Sequence, residues 1–171
     1  MDILLVDGYN MIGAWPELQK LKEENNLEDA RNILIQKMAE YQAYTGYRVI
    51  VVFDAHLVKG IEKKYTDARV EIIFTRENET ADERIEKLAK SLKKIDTKVY
   101  VATSDYAEQW TIFSQGALRK SARELYAETK AIEEKIRKKI RTIKDERPLT
   151  KIRLSGEIAE RFEKWRRGDL S

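Results

Sequence analysis

The sequence predicts a three-layer α/β fold with four or five mostly parallel strands, and three observations carry that prediction. Short β-branched runs recur along the 171 residues, helical patterns lie between them, and acidic residues stand where the runs end. The runs are nearly continuous in their apolar character instead of alternating, so both faces of the sheet are covered, as in a parallel sheet with helices on each side.

Ile3 to Val6 is the first run, and it ends in Asp7-Gly8-Tyr9-Asn10, which reads as a buried strand entering a turn. From Asp29 to Tyr44, Ala30, Ile33, Leu34, Met38 and Tyr41 fall at helical spacing, and Gly46 supplies the stop. Tyr47 to Phe53 is a second strand, followed at once by Asp54; Arg69 to Thr75 is a third. Thr80-Ala81-Asp82-Glu83 matches a capping box, in which the Thr hydroxyl satisfies an open N–H at a helix start. Behind it Ala81, Ile85, Leu88, Leu92 and Ile95 form one apolar stripe.

Lys98 to Thr103 is the fourth strand, ending at Ser104-Asp105, and a weaker fifth follows Gly116. Ser121-Ala122-Arg123-Glu124 repeats the capping-box pattern and opens a long basic helix with Leu125, Thr129, Ile132, Ile136, Ile140 and Ile143 on one face. Pro148 and Gly156 then predict a connector, and Ile158, Phe162 and Trp165 a last short helix packed on the body. The expected division is a domain over 1–130 and a basic helical extension over 131–171, packed on it or continuous with it.

Composition narrows the chemistry. With 42% hydrophobic and 37% charged residues the chain is too apolar for disorder and too charged for a membrane protein. No apolar run reaches the roughly 18 residues of a spanning helix, and the first residues have no basic region or cleavage site, so a cytoplasmic protein is expected. There is no cysteine and a single histidine, His56, which excludes zinc ribbons, His-rich zinc sites, thiol nucleophiles and Cys-His dyads. Catalysis must then rest on carboxylates, whose hard oxygens suit Mg²⁺ or Mn²⁺.

The net charge of +3 conceals an asymmetry. Residues 1–116 hold 16 Lys/Arg against 20 Asp/Glu, whereas residues 117–171 hold 17 against 10. An acidic body with a basic tail suits a polyanion-binding protein with a metal-dependent centre, because Lys and Arg hold phosphates while carboxylates hold the cation. A solvated, charge-rich helix produces the same count.

In an open parallel sheet, ligands collect beyond the carboxyl ends of the strands. Asp7, Asp54 and Asp105 follow strands there, and Asp82 lies in the first turn of the helix after strand three. Such carboxylates repel one another unless a cation intervenes, so a divalent-cation site is the economical explanation. Each also has a structural reading: Asp82 complements a helix dipole, Asp105 caps a helix with Glu108 three positions on, and Asp54 supports the strand end. Asp7 is harder to explain that way, since Gly8 permits close backbone approach and Asn10 carries an amide able to orient a carboxylate. Tyr9, Trp15 and Tyr106 are loop aromatics able to stack on a base or to close a core edge, while Trp110 and Phe113 read as core.

Together Asp7-Gly8-Tyr9-Asn10, Val52-Phe53-Asp54-Ala55, the run Glu79 to Glu86, and Thr103-Ser104-Asp105-Tyr106 resemble the NYN family of PIN-like nucleases, in particular its YacP-type endoribonucleases. The segment Gly116 to Leu125 is similar to the one that follows the last acidic motif in that subfamily. The resemblance covers residues 1 to about 130 well and the basic C-terminus more loosely. It implies that Asp7, Asp82 and Asp105 hold Mg²⁺ or Mn²⁺, with Asn10 and Ser104 supporting them; Asp54, read from its strand end alone, is expected in a supporting or structural role. It implies hydrolysis of RNA to a 5′-phosphate and a 3′-hydroxyl, with messenger RNA as substrate and the ribosome as partner.

Lys135, Lys138, Lys139, Arg141 and Lys144 on the long helix, with Arg161, Arg166 and Arg167 near the end, are the expected holders of flanking phosphates or ribosomal RNA. A non-catalytic RNA- or ribosome-binding module is the competing expectation, resting on the basic helix alone. Small phosphate esters fit less well: a haloacid-dehalogenase-type centre needs a second aspartate two positions after the first, where this chain has Tyr9.

Overall fold

A computed structural model describes residues 1–55, 64–67, 69–105 and 116–166, with side chains for all of these except 64–67 and 146–166. The chain runs β1 (Asp2–Asp7), α1 (Gly8–Ala14), α2 (Pro16–Glu23), α3 (Leu27–Thr45), β2 (Arg48–Phe53), β3 (Lys64–Asp67), β4 (Val70–Phe74), α4 (Ala81–Leu92), β5 (Lys98–Ala102), β6 (Leu118–Lys120) and α5 (Ala122–Arg166). Two compact units are distinguished, Met1–Ile132 and Glu133–Ser171.

In the first unit the strands form one sheet in the order β3-β4-β2-β1-β5-β6. Five of them are parallel, and β3 pairs antiparallel with β4 at one edge. β1 is flanked by β2 on one side and β5 on the other, so the winding of the chain reverses at β1 and leaves a crevice beyond its carboxyl end. Register aligns that edge: Asp7 lies opposite Val52, and Val6 opposite Ala102.

Both faces of the sheet are buried, which accounts for the unbroken apolar runs. One face places Ile3, Leu5, Ile50, Val52 and Val101 against Ala81, Ile85 and Ala89 of α4. By strand alternation Leu4, Val6, Val49 and Val51 point to the opposite face, where they are fully buried, and α1 and α3 contact the sheet through β2. Tyr41 of α3, Lys120 of β6 and Glu128 of α5 knit the far edge. The Tyr41 hydroxyl donates to Glu128 Oε2 at 2.8 Å and Lys120 Nζ donates to Glu128 Oε1 at 2.6 Å. Burial, then the neighbouring Glu128 carboxylate, pushes the Tyr41 phenol far above its ordinary pKa, so it remains a donor.

Both capping boxes are present, with Thr80 Oγ1 accepting from the Glu83 N–H at 3.2 Å and Ser121 Oγ from the Glu124 N–H at 3.0 Å. Four expectations are corrected. The residues after Asp7 do not turn but enter α1 directly, and α2 follows, because Trp15 and Leu18 supply a buried face and Pro16 starts the helix. An antiparallel strand, β3, joins the sheet edge; its four residues are too short for a periodicity signal. α4 stops at Leu92, so Ile95 leaves the stripe and is fully exposed.

The fourth correction concerns α5, which continues through Pro148 and Gly156 to Arg166 without the expected connector. An interior proline costs about 3 kcal/mol through its missing hydrogen bond, and Gly about 1. The strong helix formers on both sides, mostly Lys, Arg, Glu, Leu and Ala, outweigh that. The apolar stripe of α5 is buried at Leu125, Thr129 and Ile132, whereas Ile140 and Ile143 are exposed. Within the second unit Arg137 faces Glu133 and Glu134 one turn away, at 4.0 and 3.9 Å.

Candidate active site

The site is built from the ends of β1, β2 and β5 and the starts of α1 and α4. Asp7 is the last residue of β1 and the N-cap of α1, yet its side chain makes no capping bond to that helix. It is 3% exposed, and its Oδ2 instead accepts a 2.7 Å hydrogen bond from Asn10 Nδ2. The other end of the Asn10 amide accepts from Ser104 Oγ, which follows β5. The bond to Asp7 settles the amide orientation: a carboxylate only accepts, so the amide nitrogen faces Asp7 and its oxygen is left to receive the Ser104 hydroxyl proton.

Gly8 is required at this corner. A Cβ there would collide with the ring of Phe53, whose residue ends β2, so the chain can enter α1 at this point only without a side chain. Tyr9 then lays its ring 5.1 Å from Phe53, tilted by 59°, and its hydroxyl accepts from Arg31 of α3 at 3.3 Å.

Thr80 holds the cap of α4, and Asp82 lies in the acidic first turn of that helix. Glu79, just before that helix, is the buried anchor of its start. It accepts from Arg84 Nε at 2.7 Å and from Lys87 Nζ at 3.0 Å. Burial alone would raise the Glu79 pKa, but these two hydrogen bonds and charges prevail and hold it below the ordinary carboxylate value.

A cleft of about 520 Å³ opens on this edge, and Asp7, Asn10, Asp54, Asp82 and Ser104 all line it. Asp54, expected only as a supporting residue, is therefore part of the same wall as Asp7 and Asp82. Asp105 follows Ser104, with its N–H donating to Thr103 Oγ1 at 3.1 Å, but is not among the lining residues. Sequence reasoning missed Lys22 of α2, Gly13 and Ala14, which also line the cleft. The available signal was Pro16 followed by Glu17, a helix-start pattern.

Trp15, considered as a loop aromatic, is instead core: it is 1% exposed and its Nε1 donates to the Ala122 carbonyl at 3.0 Å. His56, Tyr106, Glu108, Trp110, Phe113 and Arg167 lie outside the described residues. Lys135, Lys138, Lys139, Arg141 and Lys144 are exposed on α5 within the second unit; Arg161 and Arg166 belong to the same helix, their side chains outside the description.

The donors of the cleft are oxygens throughout. Among the described residues no three acidic side chains are close enough to enclose a metal ion. That spacing still fits Mg²⁺, which dehydrates reluctantly and is commonly held by one or two carboxylates while keeping several waters. The residues present therefore suit a hard, partly hydrated cation, with Asp7, Asp54 and Asp82 as its available carboxylates.

Residues 4–167 match the model of the YacP-like NYN domain. The chain belongs to the YacP-like NYN family. YacP of Bacillus subtilis (strain 168), an uncharacterised protein, is 69% identical over 170 residues, spanning 99% of both chains. The crystal structure of Rae1 (YacP) from Bacillus subtilis matches with a TM-score of 0.78 at 69% identity, over 99% of this chain and 97% of that one. A tryptophan-to-leucine variant of the same protein matches with a TM-score of 0.75 over 84% of this chain. NYN domains are a PIN-like nuclease family, so membership places this YacP-like chain in a nuclease and RNA-related class, on the mixed α/β fold its sequence predicts.

Proposed function

We propose that this YacP-like NYN protein is a metal-dependent endoribonuclease that hydrolyses RNA to a 5′-phosphate and a 3′-hydroxyl, acting on messenger RNA in the cytoplasm in association with the ribosome. The observation that carries the reading is the gathering of Asp7, Asp54 and Asp82 in one cleft with the Asn10–Ser104 pair, at the edge where a parallel sheet collects ligands.

Asp7 and Asp82 would hold Mg²⁺ or Mn²⁺, with Asp105 approaching from the end of β5 and Asp54 as a further oxygen donor. A cation there lowers the pKa of water and offsets charge on the phosphoryl oxygens. Asn10 holds Asp7 in one rotamer, and Ser104 holds Asn10, so the carboxylate keeps its aim without rearrangement during the reaction. Lys22 supplies a positive charge at the cleft wall for a substrate phosphate. The exposed lysines and arginines of α5 would grip flanking phosphates or ribosomal RNA; such contacts give affinity without sequence choice.

The test is RNA cleavage with Mg²⁺ or Mn²⁺ by the Asp7→Asn and Asp82→Asn proteins. Both should lose cutting while their circular dichroism matches the unaltered protein, and full activity in both overturns the proposal.

A second reading, a non-catalytic RNA- or ribosome-binding module, draws on the acidic side chains that do not close into a group of three among the described residues. It requires RNA retention that is salt-sensitive and indifferent to chelator, with no cutting under any divalent metal.

A further inference from the structure

A second cleft, of about 460 Å³, adjoins the carboxylates and shares Ala14 and Ser104 with the first. Its volume falls within the range of about 300–1,000 Å³ usual for small-ligand pockets. We infer that it is a nucleotide subsite, taking the base and one phosphate of a nucleotide beside the scissile bond of a single-stranded RNA; the inference rests on the nuclease reading above and assigns where that strand runs.

The apolar wall is formed by Pro16 and Tyr126, with Trp15 behind. Tyr126 is held in place before any ligand arrives. Its hydroxyl donates to Glu17 Oε1 at 2.8 Å, and its ring lies 5.6 Å from the buried Trp15 ring. Lys130 Nζ stands 5.3 Å from the ring centroid and bonds Glu17 Oε1 at 2.7 Å. A ring fixed on three sides loses little freedom when a base packs on it, and base–aromatic stacking accepts any base because each has a π-face.

The polar part is of one sign. Arg119 of β6 and Arg123 in the first turn of α5 both line the cleft and are exposed. Neither has a carboxylate partner among the described residues, although the chain is rich in acids. Two guanidiniums with no carboxylate partner among the described residues, beside an ordered aromatic ring, match a phosphate joined to a base, since the planar guanidinium bonds phosphate oxygens in pairs. Continuity through Ser104 makes the occupant part of the same strand that reaches Asp7.

The experiment uses a set of short single-stranded RNAs, each with one nucleotide made abasic, and the full chain as wild type, Tyr126→Leu, Tyr126→Phe and the pair Arg119→Ala with Arg123→Ala. Cleavage is followed as kcat/KM with Mn²⁺, and binding by fluorescence anisotropy in chelator. One abasic position next to the cut should weaken wild-type binding about 10-fold, in keeping with the loss of one stacked base. That position should make no further difference in Tyr126→Leu, and Tyr126→Phe, which keeps the ring, should behave as wild type. Replacing the adjoining phosphate by an uncharged methylphosphonate should cost wild type affinity and the double arginine variant little.

Identical abasic profiles in wild type and Tyr126→Leu, with RNA still cut, overturn the subsite and leave the nuclease reading standing. Base-dependent binding that Tyr126→Leu abolishes, without cutting by any protein, upholds the subsite and overturns the nuclease reading. A folded Tyr126→Phe that behaves like Tyr126→Leu assigns the effect to the Glu17 hydrogen bond and overturns stacking.

Discussion

Asn10 reaches back one turn to Asp7, with its Nδ2 2.7 Å from Asp7 Oδ2, and so fixes the most buried carboxylate of the cleft from within the same helix start. Asn10→Leu keeps the volume and removes both polar ends. Because groups that orient a ligand set are worth about 10–100-fold, kcat for RNA cleavage should fall by that order, with KM changing less. A steady-state assay checks it, and unchanged kcat would detach Asn10 from the chemistry.

Gly8 has no room for a side chain against Phe53. Gly8→Ala should lower stability by about 1–3 kcal/mol through overpacking at the β1–α1 corner. The companion Gly8→Ala with Phe53→Leu should recover part of the loss in thermal unfolding, and a full additive loss would place the strain elsewhere.

Lys22 brings a positive charge to a cleft whose other charged lining residues are aspartates. Lys22→Ala should raise KM for RNA several-fold at low ionic strength and lose that effect in high salt, since an exposed charge is screened beyond about 10 Å at 0.1 M salt. A KM series against salt for both proteins decides the matter.

The Glu79 carboxyl is held below the ordinary carboxylate value in the fold by Lys87 and Arg84. A carboxylate with a depressed folded pKa stabilises the fold fully above its unfolded pKa of about 4.5, and that stability disappears as the pH falls through the lower folded value. Glu79→Gln should therefore lower Tm near neutral pH, and the gap to wild type should close under acid. Denaturation scans from pH 7 to 2 measure it; a gap independent of pH would assign the loss to packing.

The parallel sheet was legible because its strands are buried on both faces, which writes Ile3 to Val6 and Val49 to Phe53 as unbroken apolar runs. The starts of α4 and α5 were legible because Thr80 and Ser121 are local devices, complete within four residues. What stayed hidden depends on distance. Trp15 bonds the carbonyl of Ala122, 107 positions away, and Lys22 reaches the cleft because α2 packs against α1 and α3. The continuation of α5 past Pro148 was hidden for another reason: a single residue's penalty was weighed without the sum of its neighbours' propensities. At the candidate site Asp7 and Asp54 were legible as strand ends and Asp82 as a helix start, whereas the part of Ser104 was given only by the family resemblance, because its bond to Asn10 joins residues 94 positions apart.

β1 is central in the sheet, and its neighbour β5 and the carbonyl that seats Trp15 follow it by about a hundred residues. Domains fold as units once such distant pairings can close. A chain made only through β2 contains Asp7 and Asn10 and still lacks Asp54, Asp82, Ser104 and the Ala122 latch. The candidate cleft and the latch behind it are thereby completed only when the last third of the chain is being made.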